Sequence, residues 1–183
     1  MITITDSSLR DGNHSVKHMI TLDSIKRYCT FAEEAGVHVV EFGHGNGLAA
    51  SSLLIGKALH TDREMIEAAR THLNKTKLCI HIIPGLATRN NIQAAIDIGV
   101  DVFRVATHCT EATLSKSHID FLKSKDKPVY GVLMMSALIE TDELVAHAKI
   151  MEQYGADGII IMDSTGTYLP NEVRERITAL KNG

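Results

Sequence analysis

The sequence predicts a parallel α/β fold built from six βα units. Three observations carry this expectation. Short β-rich runs alternate with amphipathic stretches along the whole chain. The runs are largely apolar on both faces, as strands covered by helices require. No linker or low-complexity stretch interrupts the series, so residues 1–183 read as a single domain. A doubly wound open sheet and a (β/α)8 barrel both satisfy this pattern. A barrel unit takes roughly thirty residues and eight take about 250. Six units fill this chain, so periodicity by itself favours the open sheet.

Each element has its own signals. Ile2 to Thr5 is a short β-rich run, and Gly12 breaks the chain soon after it. Leu22 to Ala35 has apolar residues near helical spacing (Leu22, Ile25, Cys29, Ala32), with Thr21 as its cap and Gly36 as its stop. Val37 to Phe42 is the second strand, followed by a long Gly- and Ser-rich loop to His60. Thr61 caps the next helix, with Glu64 as capping-box partner. Lys77 to Ile83 is strand three, ended by Pro84-Gly85, and a helix from Asn90 to Ile98 stops at Gly99. Strand four is Asp101 to Ala106, with a helix from Glu111 to Lys123. Strand five is Pro128 to Met135, with a helix from Thr141 to Tyr154. Strand six is Gly158 to Met162, and Pro170 opens the last helix, Leu169 to Leu180.

Composition excludes several classes. A net charge of −3 offers no basic footprint for nucleic acid or an anionic membrane. No run approaches the roughly eighteen apolar residues of a membrane helix. Met1 leads almost directly into the first strand, so no signal or transit peptide is expected. Cys29, Cys79 and Cys109 are odd in number and lack C-x-x-C spacing, which reads as reduced thiols in a cytoplasmic protein. Neither a Gly-x-Gly-x-x-Gly turn nor a Walker loop follows the first strand, so the usual nucleotide signatures are missing.

Chemistry-bearing residues gather after the strands. Arg10, Asp11 and His14 follow the first, His44 the second, His108 the fourth, Ser136 the fifth, and Asp163 and Ser164 the sixth. In either parallel architecture that edge carries the site. Arg10 is a fixed cation, Asp11 a carboxylate and His14 an imidazole, a side chain that changes charge near neutral pH. Together they suit anchoring a carboxylate substrate, holding a divalent metal and moving a proton. Structural roles compete at two positions, since Asp163 also suits capping the following turn and Ser136 a helix cap.

These residues carry a family resemblance. Leu9-Arg10-Asp11-Gly12-Asn13-His14 resembles the opening motif of the 4-hydroxy-2-oxovalerate aldolases. Those enzymes belong to a wider group of metal-dependent lyases with hydroxymethylglutaryl-CoA lyase. Further matches follow in order: Gly43 to Leu48, Ser51-Ser52, His60-Thr61-Asp62, Arg104 to Ala112, Leu133 to Ser136 and Met162 to Ser164.

The resemblance implies a (β/α)8 TIM barrel, here with about six units and therefore incomplete. It implies retro-aldol cleavage of 4-hydroxy-2-oxopentanoate, a 2-keto acid, to pyruvate and acetaldehyde with a divalent metal, usually manganese. Asp11 corresponds to a metal ligand, Arg10 to the group holding the enolate oxygen and keto acid, and His14 to a proton-transfer residue. Ser164 corresponds to a contact of the pyruvate carboxylate; His44 and His108 join it as candidate substrate contacts. An acylating acetaldehyde dehydrogenase is the implied partner. The remaining metal ligands, a His-x-His on strand seven, and a late Tyr have no counterpart in these residues. Asn46 stands where the family usually has Asp, and Phe42-Gly43 where it has small apolar residues. Three expectations follow: a truncated aldolase, a short chain that self-associates to complete itself, or a non-catalytic docking partner of the dehydrogenase. An acyl-CoA lyase or synthase is the alternative enzyme class.

Overall fold

The computed structural model describes residues 2–183. Six strands alternate with six principal helices: β1 (Thr5–Leu9), α1 (Leu22–Glu34), β2 (Val39–Phe42), α2 (Asp62–Arg70), β3 (Lys77–Ile82) and α3 (Arg89–Ile98) come first. β4 (Val102–His108), α4 (Lys116–Lys123), β5 (Val129–Met134), α5 (Thr141–Gln153), β6 (Gly158–Ile161) and α6 (Pro170–Asn182) follow. Strand order equals sequence order, β1 to β6. The pairs β1–β2, β2–β3 and β5–β6 are parallel. This is the (β/α)8 arrangement with six of its eight units, not the open sheet that periodicity favours. The chain divides into two compact units, one ending at Phe103 and the other spanning Arg104–Gly183.

In the first unit, both faces of the sheet are buried. Val40, Leu78 and Ile82 are fully buried, as are Cys29 of α1 and Ala69 of α2. Side chains alternate across a strand, so burial on successive residues means cover on both sides. Helix ends behave as the sequence indicates. Thr21 Oγ1 accepts from Ser24 N at 3.2 Å, and Thr61 with Glu64 forms a full capping box. Gly99 ends α3 in the left-handed conformation, φ 105°.

The second unit is built the same way around Val105, Ile119, Leu122, Val132, Leu133, Leu144 and Met151, all fully buried. Its last elements differ. All four residues of β6 are half-buried, and α6 buries no residue.

Several boundaries depart from expectation by one or more residues, and three of the departures have a clear physical reason. β1 begins at Thr5, not Ile2, and runs through Leu9. Ile2 and Ile4 stay exposed, so their β propensity finds no burial, while pairing starts at Thr5 opposite Val39. The helix expected from Glu111 begins as a 3-10 turn, Ala112–Ser115, before α4. Ser115 Oγ donates to Ala112 O at 2.6 Å within this tighter turn. β4 extends two residues past Ala106, so His108 is the end of a strand, not a residue after it.

Candidate active site

In the first unit, the end of β1 leads into a 3-10 turn, Asp11–His14. Arg10 N donates to Ser7 O at 3.0 Å, folding the chain back at the strand's end. Arg10 is 7% exposed and lies against the fully buried Glu41 of β2. Its Nε donates to Glu41 Oε1 at 2.6 Å, and its Nη1 to Asp11 Oδ1 at 2.8 Å and Gly45 O at 3.3 Å. The guanidinium is therefore fixed between one buried and one exposed carboxylate, since the Asp11 side chain is 69% exposed. Asn13 is buried and its Nδ2 donates to Gly43 O at 2.8 Å, tying this turn to the loop after β2. Among the described residues, Asn13 Oδ1 is buried with no hydrogen-bond partner, so it is a ready acceptor.

Three imidazoles line the same turn. His14 is exposed, and its ring packs on Gly45, where a Cβ would sit 2.5 Å from the ring. A side chain at that position would displace His14, which explains the glycine. His18 meets His14 edge-on at 5.1 Å and stacks on His44 at 3.7 Å between centroids. His44 Nε2 donates to Gly56 O at 3.0 Å, and its Nδ1 accepts from Asn46 N at 3.1 Å. These partners assign its neutral tautomer. Desolvation lowers the His44 pKa, against the raising influence of the Gly56 carbonyl and Asp62. Desolvation likewise lowers that of His18, helped by His44 and His14. His44, expected as a substrate contact, thus has both ring nitrogens engaged in holding the loop from Gly43 to Gly56. Gly47, at φ 91°, seats that loop so closely that a Cβ would collide with the His81 carbonyl.

In the second unit, His108 ends β4 half-buried, with Nδ1 2.8 Å from Thr110 Oγ1. Ser164 is exposed in the loop after β6, and its Oγ accepts from Met135 N at 3.0 Å. Asp163 caps this loop: its carboxylate accepts from Thr167 N at 3.1 Å and Tyr168 N at 3.0 Å. Desolvation raises the Asp163 pKa, but these backbone donors outweigh it and leave the carboxyl below its usual value. Ser136 is fully buried; its Oγ donates to Met162 O at 2.9 Å and does not cap a helix.

A metal is only partly provided for. Asp11 presents an exposed carboxylate, but among the described residues no group of three His, Cys, Asp or Glu side chains could hold an ion. A divalent cation normally takes several oxygen or nitrogen ligands, so one carboxylate does not complete a site. Sequence reasoning missed Glu41, His18, Tyr168 and Arg176. Glu41 had a legible signal, a lone carboxylate in an otherwise apolar strand; the others sit among ordinary loop and helix residues.

Among the described residues, no helix is long and apolar enough to cross a membrane. The fold recurs in the carboxyl transferase domain of Rhizobium etli pyruvate carboxylase, with a TM-score of 0.82 at 18% identity over 99% of this chain and 34% of that one. It recurs again in an N-terminal domain from Bacteroides vulgatus, with a TM-score of 0.80 at 20% identity over 99% of this chain and 60% of that one. Sequence relatives are much nearer. A Spirochaeta aurantia protein named 4-hydroxy-2-oxovalerate aldolase is 53% identical over 98% of this chain and 53% of its own length. Proteins of the same name from Pectobacterium atrosepticum and Serratia proteamaculans are 48% and 43% identical. The chain thus spans about half the length of the curated relatives it matches. The HMGL-like family model matches residues 1–183, and with these relatives it shows that the chain belongs to the HMGL-like family.

Proposed function

We propose that this chain is the keto-acid-binding part of a carbon–carbon lyase that cleaves 4-hydroxy-2-oxopentanoate to pyruvate and acetaldehyde. The observation that carries the reading is Arg10, a buried guanidinium locked by Glu41 at 2.6 Å and Asp11 at 2.8 Å. Retro-aldol cleavage removes the proton of the C4 hydroxyl and breaks the C3–C4 bond. Acetaldehyde leaves, and the bonding pair remains on the pyruvate enolate, which is then protonated at C3. A cation fixed before the reaction stabilises that enolate oxygen without reorganising, which is the largest contribution available to such a step. Arg10 takes this role. His14, exposed beside it, takes the hydroxyl proton. By the family resemblance Ser164 takes the keto acid's carboxylate and His108 is a further substrate contact, while His44 acts by holding its own loop. A divalent metal, manganese by resemblance, would supply Lewis-acid stabilisation of developing negative charge when bound. Asp11 is the residue here that would hold it, with further ligands needed from elsewhere.

The relatives' shared name supports the substrate, and the family match supports the lyase class. Acetaldehyde is reactive and volatile, so hand-over to an acylating acetaldehyde dehydrogenase suits the chemistry, in the cytoplasm. The test is pyruvate release from 4-hydroxy-2-oxopentanoate with added manganese, followed through lactate dehydrogenase. Turnover is expected once the remaining metal ligands are supplied, as in a chain of the relatives' full length, and Arg10→Lys then lowers kcat by about a hundredfold, as loss of an oxyanion donor does. No turnover from that full-length chain overturns the catalytic reading and leaves the docking role.

A further inference from the structure

We propose that Ser136, Tyr168 and Arg176 form a clip that positions the Ser164 hydroxyl to donate a hydrogen bond to an anionic oxygen of the substrate. The proposal rests on the reading of Ser164 as a carboxylate contact.

Met135 is the place to begin. It sits between β5 and a short 3-10 turn, in the left-handed region at φ 56°, ψ 31°. A bulky residue held there is strained by about 1 kcal/mol, and it persists where the surroundings over-determine it. The conformation aims both of its peptide groups. Met135 N donates to Ser164 Oγ at 3.0 Å, and Met135 O accepts from Cys109 Sγ at 3.3 Å. A hydroxyl has one proton and two acceptor lone pairs. With the Met135 N–H on one lone pair, the Ser164 proton remains to be donated, and Ser164 is exposed. The strained residue thus turns Ser164 into a donor.

Ser136, the next residue, is held by every polar group it has. Its N and Oγ both donate to Met162 O, at 3.2 and 2.9 Å. Since the Oγ proton is used there, the oxygen accepts from Tyr168 Oη, 3.0 Å away. The protons therefore run one way, from Tyr168 through Ser136 to the Met162 carbonyl. Arg176 of α6 closes the arrangement. Its Nη1 donates to Ser136 O at 3.1 Å and Ile139 O at 2.9 Å, and its guanidinium lies 5.0 Å from the centre of the Tyr168 ring. Asp163 fixes Tyr168 from the other side through its backbone N–H, at 3.0 Å. The turn after β5 and the loop after β6 are thereby fastened to each other, with Ser164 and Met135 at the join. Tyr168, Ser136 and Arg176 act through Ser164, so they are positioning residues.

Amide exchange followed by NMR, together with pyruvate titration of the 183-residue chain, tests this. Tyr168→Phe removes one hydroxyl, and Arg176→Lys keeps the charge but loses the planar guanidinium whose Nη1 reaches two carbonyls and whose face lies by the Tyr168 ring. Each is expected to speed exchange of the Met135 amide about tenfold, leave the Val132 amide unchanged and weaken pyruvate binding about fivefold. Ser164→Ala is expected to weaken pyruvate at least as much, with Tyr168→Phe adding nothing further in the double variant. Unchanged exchange at Met135 in both clip variants overturns the clip. Faster exchange with unchanged pyruvate affinity overturns the positioning role. Pyruvate binding that Ser164→Ala leaves intact, or no pyruvate binding by the parent, overturns the carboxylate reading of Ser164 and the positioning role with it. Met135 exchange then still decides whether the clip exists.

Discussion

Glu41 is fully buried on β2, and Arg10 reaches it from the end of β1. Taking two charges out of water is costly, and their attraction offsets that cost only while both are present. Removing one leaves the other buried and uncompensated. Glu41→Gln is therefore expected to lower the unfolding free energy by about 3 kcal/mol, read as a shifted urea midpoint at unchanged slope. A shift under about 1 kcal/mol would mean that Asp11 and the Gly45 carbonyl suffice to hold the guanidinium. Arg10 was legible in the sequence as part of a tight polar cluster, and Glu41 as a lone carboxylate in an apolar strand; their pairing was not, because they lie thirty-one positions apart. Pairing at that separation is set by strand register, Thr5 opposite Val39 and Leu9 opposite Phe42.

Elements are joined by few but directional latches. Glu33, near the end of α1, accepts from Thr76 N at 2.9 Å, Lys75 N at 2.8 Å and Asn74 N at 3.1 Å, in the turn before β3. The Thr76 and Lys75 amides, the largest influences, carry its pKa down to about 2. A carboxylate whose folded pKa is depressed stabilises the fold above its unfolded value, near 4.5, and that contribution fades as pH falls toward 2. Glu33→Gln is thus expected to unfold at lower urea than the parent at pH 7. The gap should narrow steadily between pH 4.5 and pH 2, and a pH-independent gap would assign the effect to packing. Capping signals at Thr21, Thr61 and Gly99 were readable because each depends on residues within four positions. The start of β1 was not, because a strand begins where its neighbour does.

At the scale of the whole molecule, the second unit ends unevenly. β6 is half-buried throughout, α6 buries no residue, and Val173 and Ile177 are each 39% exposed. A groove of about 340 Å³ lies here, lined in part by Val145, Ala148, Ile159, Ile177 and Leu180. An open strand edge beside apolar surface is a template for association. We expect the 183-residue chain to self-associate, with light scattering at low micromolar concentration giving a mass above 20.0 kDa. A stable monomer there would show that β6 and α6 are covered well enough as they stand. The alternation of six apolar runs with six amphipathic ones, and the polar residues at the strand ends, were determined by the sequence by itself. Local periodicity and capping depend on near neighbours, and they are written in consecutive residues. Tertiary structure alone decided that Arg10 rests on Glu41, that His18 stacks on His44, and that Arg176 and Tyr168 fasten Ser136. Those contacts join residues far apart in the chain, and their energy exists once strand pairing and burial have brought them together.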